Sequence, residues 1–310
     1  MGESFVEAIG KQFVDESSSL ADKFRALFTL KNTGGHKAID WICKGFEHDS
    51  ALLKHECAYC LGQMQDEYAI PFLIRVLEDR NQEPMVRHEA GEALGAIGAP
   101  EVIDVLTKCL NDEQIEVAET CELALERIKW LQERQTHEKD KISSNPYSSV
   151  DPAPPDLNSL NDTVSLRKAL LDESLPLFKR YRALFSLRNI GGTKAVVALA
   201  EGLRCNSALF RHEIAYVLGQ MQHEACVTQL KECLEKNTEN PMVRHECAEA
   251  LGAIAKGECR EILEKFAQDK ERVVKESCLV ALDMHDYQTS DELEYTKTID
   301  NKTKGTVGSE

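Results

Sequence analysis

Four histidine–glutamate pairs are the residues of this chain best suited to chemistry. The stretch Met85–Glu89, with the sequence MVRHE, returns 157 residues later as Met242–Glu246. A second pair, His55-Glu56, returns as His212-Glu213 at the same offset, and within each half the two pairs are 33 residues apart. That separation is in the range of one helix-turn-helix repeat. Because imidazoles and carboxylates are metal ligands, four candidate metal-binding pairs occupy equivalent repeat positions.

The residues around each pair predict a helix with the pair on one side. At about 100° per residue, the apolar residues of 53–64 and of 86–97 each fall on one helix face. His55 and His88 then point almost directly away from the apolar faces, while Glu56 and Glu89 lie on the flank. A single His-Glu dipeptide is usually part of a solvated helix face. Four of them in one helical phase predict a metal site instead.

Composition and charge limit the classes of function. The chain has 310 residues, 6% aromatic residues and a formal net charge of −16 at pH 7. Few aromatic residues, with plentiful Ala, Leu and Glu, favour an all-helical protein, and the negative charge argues against a nucleic-acid or anionic-membrane partner. The sequence shows no secretory signal and no membrane-spanning apolar run, and its eleven cysteines indicate reduced thiols. The expected location is cytoplasmic.

An internal duplication predicts the fold. Residues 25–98 align with residues 182–255 without a gap, and each half contains four helical-hairpin repeats. Only the two inner repeats of each half carry His-Glu, so the outer repeats are expected to act as caps. We predict an all-α protein, an α-solenoid built from two duplicated four-repeat halves. The reference positions in the second helices of the repeats are Phe24, His55, His88, Glu119, Tyr181, His212, His245 and Glu276.

Composition also divides the chain into segments. The N-terminal half covers residues 1–133 and the C-terminal half covers residues 162–287. Between them, residues 134–161 are rich in Lys, Ser, Asn and Pro, and we predict a flexible linker that lets the halves face each other. Residues 288–310 are polar without apolar periodicity, which predicts a disordered tail.

The spacing of the pairs predicts how they bind metal. Neighbouring helices of a solenoid lie roughly 8–10 Å apart, so two imidazoles can converge on one ion. His55 and His88 are expected to share an ion, with Glu89 or Glu56 as the carboxylate ligand. Two histidines, one carboxylate and open positions are typical of non-haem Fe(II) oxygenases, although the ligand types also allow Zn²⁺ or Mn²⁺ hydrolysis. The equivalent residues in the second half are His212, His245, Glu246 and Glu213.

Further residues on the same helical stripe predict a substrate cleft. Four residues after each histidine there is a tyrosine or a glutamate, and seven residues after it there is a glycine. A glycine within a helix costs about 1 kcal/mol relative to alanine, so these glycines indicate either room kept for a substrate or the ends of helices. The glutamates would favour a long amine substrate. The candidate cleft residues are Tyr59, Glu92, Tyr216, Glu249, Gly62, Gly95, Gly219 and Gly252.

The four motifs resemble those of deoxyhypusine hydroxylase, a family of HEAT-repeat mono-oxygenases. The resemblance covers roughly residues 5–130 and 160–287, and all four His-Glu motifs are intact. It implies a HEAT-like solenoid and a di-iron enzyme with two Fe²⁺ per chain. It also implies that O₂ is used to hydroxylate the deoxyhypusine side chain of translation initiation factor five-A, which gives hypusine.

The resemblance also implies roles for the motif residues. Glu56 and Glu213 would bind the substrate amine or the metal. Two rival classes stay open: a non-catalytic HEAT-repeat scaffold that binds proteins, and a lyase of the kind that some HEAT-like proteins resemble. The scaffold gives no reason why His-Glu is confined to the inner repeats, and the lyase would need no bound metal. The implied ligands are His55, His88 and Glu89 for one iron, and His212, His245 and Glu246 for the other.

Overall fold

The computed structural model describes residues 3–135, 146–156 and 162–290, and the regular structure within them is helical. Sixteen α-helices in these ranges confirm the all-α prediction. No helix in the described part of the chain is both long and apolar enough to cross a membrane. The N-terminal half comprises α1 (Glu3–Val14), α2 (Leu20–Thr33), α3 (His36–Lys44), α4 (Ala51–Met64), α5 (Ile70–Glu78), α6 (Pro84–Ile97), α7 (Ile103–Cys109) and α8 (Ile115–Gln135). The C-terminal half comprises α9 (Thr163–Leu171), α10 (Leu177–Ile190), α11 (Gly192–Glu201), α12 (Ala208–Met221), α13 (Val227–Glu235), α14 (Pro241–Ile254), α15 (Cys259–Phe266) and α16 (Arg272–Thr289).

The helices pair into four hairpins per half, as the duplication predicts. Every reference position of the sequence is the fifth residue of an even-numbered helix, from Phe24 in α2 to Glu276 in α16. A capping serine or a proline begins each inner helix at the same position relative to its histidine. Ser50 and Ser207 accept the backbone N–H of the third helical residue in α4 and α12, and a proline opens α6 and α14. The fifth residues of the inner helices are therefore brought to one level.

The arginines of the MVRHE motif tie the repeats together. Arg87 is buried and donates to the carbonyl oxygen of Leu77 at 2.9 Å and to both carboxylate oxygens of Asp112. Arg244 repeats this pattern in the second half, with 2.8 Å from its Nε to the carbonyl oxygen of Leu234. Each guanidinium thus donates to a carbonyl oxygen at the C-terminus of the preceding helix, where the carbonyl groups have no partner within the helix. The motif therefore combines a structural arginine with a chemical His-Glu pair.

The glycines of the predicted cleft allow close helix packing. A Cβ added at Gly62 would lie 2.8 Å from the Cα of Ala93, and one added at Gly95 would lie 2.6 Å from the Cβ of Ala124. Gly252 meets the carbonyl oxygen of Ala281 at the same 2.6 Å. These glycines face the next repeat, not a substrate. The interpretation that Gly62, Gly95 and Gly252 keep room for a substrate is wrong, because the space at each one is filled by the neighbouring helix.

The two halves contact each other directly at both ends. The hydroxyl of Ser50 donates to Glu276 at 2.6 Å, and the equivalent Ser207 donates to Glu119 at 2.7 Å. Further contacts join α2 to α16, where Arg25 donates to both carboxylate oxygens of Asp283. The helices α4, α6, α12 and α14 are therefore enclosed between the two halves, and the faces that each half alone would expose become interior.

The middle of the predicted linker is anchored to both halves. Residues 146–156, which we call the strap, cross between them: Val150 exchanges two hydrogen bonds with Gln63 of α4, and Asp151 pairs with Arg188 of α10 at 2.6 Å. For these residues the prediction of a flexible linker is wrong, because buried polar partners fix the backbone. The rest of that prediction, residues 136–145 and 157–161, lies outside the described residues. So does most of the predicted tail, residues 291–310, whereas α16 continues to Thr289.

Candidate metal centre

The four histidines of the His-Glu pairs lie together where the halves meet. The ring centroids of His55 and His88 are 5.4 Å apart, and those of His212 and His245 are 5.3 Å apart. Distances across the halves are just as short, with 5.2 Å from His55 to His245 and 5.3 Å from His88 to His212. All four side chains are buried. The helix sides that the sequence predicts to be non-core are thus covered by the other half of the molecule.

None of these imidazoles has a hydrogen-bond partner. Both ring nitrogens of His55, His88, His212 and His245 are buried and make no hydrogen bond of acceptable geometry with the described residues, although carboxylates lie near three of the rings. Burial lowers the pKa of His55 and of His212 to about 4, and lowers the pKa of His88 and His245 well below the ordinary value. The rings are therefore neutral at pH 7, which is the form that binds metal ions.

Three carboxylates lie close enough to the imidazoles to complete metal-binding groups. The Nε2 of His55 is 3.2 Å from the Oε2 of Glu89, and the Nε2 of His212 is 3.4 Å from the Oε2 of Glu246. Glu249, which the sequence predicts only for the cleft, lies 3.5 Å from the Nδ1 of His245. The groups with ligand atoms within 4.8 Å of one another are His55, His88 and Glu89; His245, Glu246 and Glu249; and His55, His212 and His245.

Glu56 and Glu213 belong to the same motifs but not to these groups. Burial raises the pKa of both carboxyls well above the ordinary value, and nearby carboxylates raise it further. The neighbours of Glu56 include Glu249 and Glu246 from the opposite half. Each of these two glutamates therefore lies among other acids rather than beside an imidazole nitrogen.

A cavity of about 320 Å³ adjoins the cluster. Seven carboxylate side chains line it, and no lysine or arginine of the described residues does. Asp151 is paired with Arg188, but burying the six glutamates together is costly, because each charge is both desolvated and repelled. A cationic occupant therefore fits this cavity. The acidic lining residues are Glu56, Glu89, Glu92, Asp151, Glu213, Glu246 and Glu249.

The structure brings five of the eight predicted cleft residues to this cavity. Tyr59, Glu92, Tyr216, Glu249 and Gly219 line it, whereas the other three glycines do not. The two tyrosines meet across the halves with 2.9 Å between their hydroxyl oxygens. They therefore span the cavity from one half to the other.

Sequence reasoning missed the part of the site that comes from the strap. Val150, Asp151 and Pro152 line the cavity, and so do Gln63 and Gln220, whose side chains hold the strap. A carboxylate inside a proline-rich run was the available signal. Its partner, Arg188, lies far away in the sequence, so the spacing of residues alone could not reveal the pairing.

The donor set fits metal ions. Four neutral imidazoles with orphaned nitrogens, flanked by buried carboxylates, satisfy the requirement for ligands that are already deprotonated or readily become so. A ligand set of histidine nitrogens and carboxylate oxygens without thiolate favours a catalytic metal over a structural zinc. The structure therefore brings histidines and carboxylates together in groups that could hold a metal ion.

Comparison with known proteins identifies the family. A family model described as HEAT repeats matches residues 14–126 and 196–283, and one described as PBS lyase HEAT-like repeat matches residues 179–205. Deoxyhypusine hydroxylase of Homo sapiens is 60% identical over 293 residues, which are 94% of this chain and 95% of that protein. The Drosophila melanogaster enzyme of that name is 55% identical over 290 residues, again 94% of each chain. The solved structure of human deoxyhypusine hydroxylase in complex with glycerol is similar with a TM-score of 0.89 and 61% identity, over 92% of this chain and 97% of that one.

Fold and site together define a class: an all-helical HEAT-repeat protein whose duplicated halves enclose a histidine–carboxylate cluster. Within that class, the chain belongs to the deoxyhypusine hydroxylase family. The resemblance drawn from the His-Glu motifs is confirmed. The non-catalytic scaffold is not favoured, and the lyase-type repeat model covers only a short stretch of α10 and α11.

Proposed function

We propose that this chain is an O₂-dependent di-iron mono-oxygenase that hydroxylates the deoxyhypusine side chain of translation initiation factor five-A to hypusine. The observation that carries the proposal is the cluster of four buried imidazoles without any hydrogen-bond partner, next to a cavity lined by carboxylates. Family membership gives the substrate class, since the relatives are named deoxyhypusine hydroxylase. The proposed location is cytoplasmic, where translation factors act.

The residues proposed to hold iron follow from the distances. His55, His88 and Glu89 form one ligand group, and Glu89 is 3.2 Å from His55. His212, His245 and Glu246 are the equivalent residues of the second half: Glu246 lies 3.4 Å from His212 and 4.0 Å from His245, and Glu249 also lies beside His245. When bound there, the two Fe²⁺ ions supply the activation of O₂ that an amino-acid side chain cannot provide.

The surrounding residues are proposed to bind and orient the substrate. Deoxyhypusine is a long side chain with two amino groups, and its charge complements the acidic cavity. Glu56 and Glu213 line the cavity apart from the ligand groups, so they are available to accept hydrogen bonds from these amines. Tyr59 and Tyr216 line the same cavity, and their hydroxyls meet across the two halves.

Hydroxylation of the substrate protein tests this proposal. Iron-loaded protein, O₂, a reductant and the deoxyhypusine form of the factor should give a product heavier by one oxygen atom, with ¹⁸O incorporated from ¹⁸O₂. Metal-free protein and an oxygen-free mixture are the matched controls. If iron-loaded protein folds and binds O₂ and substrate but leaves the substrate mass unchanged, the proposed activity is wrong. The scaffold alternative would then be favoured by binding of the factor without any iron.

A further inference from the structure

Two equivalent tyrosines meet inside the cavity. Tyr59 of α4 and Tyr216 of α12 are 157 residues apart, which is the offset of the duplication, and both line the cavity. Their hydroxyl oxygens are 2.9 Å apart, and their rings are inclined by 65° with 6.1 Å between the centroids. A hydrogen bond between two phenols has one donor and one acceptor. The pair is therefore asymmetric, although its residues are repeated.

The surroundings of Tyr216 decide which hydroxyl donates. The Nε2 of Gln220 donates to the hydroxyl oxygen of Tyr216 at 2.9 Å. This amide cannot be turned over, because Arg188 donates to its Oε1 at 2.9 Å and a guanidinium is never an acceptor. Arg188 is itself fixed by both carboxylate oxygens of Asp151 in the strap. The oxygen of Tyr216 is therefore already an acceptor.

The equivalent glutamine of the first half does not act on Tyr59. The Nε2 of Gln63 donates to the carbonyl oxygen of Val150 at 3.2 Å, and its Oε1 accepts the N–H of Val150 at 2.8 Å. The backbone of the strap thus occupies both ends of this amide. Among the described residues, the hydrogen-bond partner of Tyr59 is the hydroxyl of Tyr216 alone. The two glutamines therefore make the two tyrosines inequivalent.

The order of donors follows from these contacts. If Tyr216 donates to Tyr59, each hydroxyl oxygen accepts one hydrogen bond. In the reverse order the oxygen of Tyr216 would accept two and that of Tyr59 none. The first order is favoured, because hydrogen bonds that run in one direction strengthen one another. They run from Arg188 through Gln220 and Tyr216 to Tyr59, and the hydrogen of Tyr59 is left for a ligand in the cavity. Burial raises the pKa of Tyr59 well above its ordinary value, so the hydroxyl keeps this hydrogen at neutral pH.

The tyrosines lie one helical turn from two of the proposed metal ligands. Tyr59 follows His55 by four residues, and Tyr216 follows His212 by four residues, which is about one turn of ~5.4 Å along each helix. Glu89, another proposed ligand, is among the carboxylates that raise the pKa of Tyr59 after burial. The position at which a substrate side chain would gain oxygen and the two hydroxyls are therefore neighbours in one cavity.

The substrate side chain and its product differ in what they offer to a donor. The protonated amino groups of deoxyhypusine only donate, so they suit the carboxylates of the cavity. The hydroxyl that the reaction adds is also an acceptor. A phenol hydrogen therefore distinguishes the two forms, because it finds an acceptor in the product that the substrate side chain lacks.

We propose that Tyr59 is a specificity-determining residue that donates its hydroxyl hydrogen to the oxygen added to the substrate side chain, and that Tyr216 and Gln220 are positioning residues that keep this hydrogen available. The identity of the substrate in this inference rests on the proposed function. The direction of the hydrogen bonds rests on the contacts within the chain. Because the strap fixes Arg188 and thereby Gln220, one of two equivalent tyrosines becomes the donor.

The affinities for the deoxyhypusine and hypusine forms of the substrate protein test this proposal. Binding is measured on the full-length protein without oxygen, so that nothing is converted, and circular dichroism checks the fold. Tyr59→Phe should weaken binding of the hypusine form about three- to tenfold, the range for one neutral hydrogen bond, and leave binding of the deoxyhypusine form unchanged. Tyr216→Phe keeps the hydrogen of Tyr59 and should change the ratio of the two affinities less than about twofold. Equal changes of this ratio in the two variants, or no change in Tyr59→Phe, overturn the proposal.

A matched pair of glutamine substitutions tests the direction of the hydrogen bonds. Gln220→Glu replaces the donating nitrogen by an oxygen that only accepts when ionised, so Tyr216 donates to it and Tyr59 donates to Tyr216. The hydrogen of Tyr59 is then engaged, and the ratio of affinities should change as in Tyr59→Phe. Gln63→Glu adds the same charge at the equivalent position and should leave the ratio unchanged. Equal ratios in the two glutamine variants overturn the proposed direction.

The same measurements separate this inference from the proposed function. If the wild-type protein binds both forms but does not hydroxylate deoxyhypusine, the proposed function fails, while the ratios still decide the role of Tyr59. A wild-type protein that hydroxylates deoxyhypusine but shows the same ratio as Tyr59→Phe supports the proposed function and overturns this inference. A wild-type protein that binds neither form overturns both.

Discussion

The inner and outer repeats place different residues at one and the same helical position. In the inner helices the fifth residue is a histidine of the cluster. In α8 and α16 it is Glu119 or Glu276, and each of these accepts a hydrogen bond from a serine of the opposite half. In α2 and α10 it is a buried aromatic residue, Phe24 or Tyr181. The same helical position therefore supplies the histidines of the central cluster and, in α8 and α16, the glutamates that bind the two halves to each other. We expect that substitutions can change the site and the contact between the halves separately.

Removing an inner histidine should have the largest effect. We expect His88→Ala and His245→Ala each to abolish hydroxylation and to lower bound iron, since each removes one of two imidazoles of its half at the cluster. Iron is measured by elemental analysis and folding by circular dichroism. The control is Glu276→Gln at the same position of an outer helix, which should keep both iron and activity. A folded His245→Ala protein with undiminished iron would contradict the assignment.

Substitution of the carboxylates in the inner repeats should divide them into two groups by the amount of iron lost. Glu89→Gln and Glu246→Gln are expected to lose iron, because these carboxylates lie 3.2 and 3.4 Å from imidazole nitrogens. Glu56→Gln and Glu213→Gln should also lose activity but retain more iron, because they lie outside the ligand groups. Iron content and affinity for the substrate protein are measured on all four variants. Equal loss of iron in all four would remove the distinction between metal-binding and substrate-binding glutamates.

Packing between repeats should respond to a single methyl group. Gly95→Ala forces a Cβ to 2.6 Å from that of Ala124, and should lower the free energy of unfolding by about 1–3 kcal/mol. Gly91→Ala is the matched control in the same helix, since its Cβ would meet nothing closer than 3.4 Å and the second half already has Ala248 there. Chemical denaturation compares the two. A Gly95→Ala protein as stable as the control would mean that this glycine is not needed for helix packing.

Removing a hydrogen bond between an outer repeat and the opposite half should have the smallest effect. Glu276→Ala removes the acceptor of the buried Ser50 hydroxyl and should lower stability by about 1–2 kcal/mol without loss of iron. Glu276→Gln keeps an acceptor oxygen and should lose less. Thermal unfolding and elemental analysis report the two quantities on the same samples. Loss of iron in Glu276→Ala, with the fold intact, would show that the edges and the centre are not independent.

The sequence predicts what depends on local periodicity. Helical spacing and the duplication locate the eight hairpins, and the common phase of the four His-Glu pairs predicts that they converge. Burial of the histidines could not be deduced from one helix, because the covering surface belongs to the other half. Gly62 and Gly95 share the stripe of the histidines, but the close neighbours that require glycine, Ala93 and Ala124, belong to the next repeat. The strap was missed for the same reason, since Asp151 is fixed by the distant Arg188.

We propose that the two halves together hold a two-iron centre that hydroxylates deoxyhypusine. The most direct measurement is elemental analysis of the wild-type chain purified under controlled iron supply, combined with hydroxylation assays on the same samples as iron is removed and restored. We expect two irons per chain in the active protein, with activity lost on removal of iron and recovered on its return. Full hydroxylation by a chain that contains no iron would contradict this proposal.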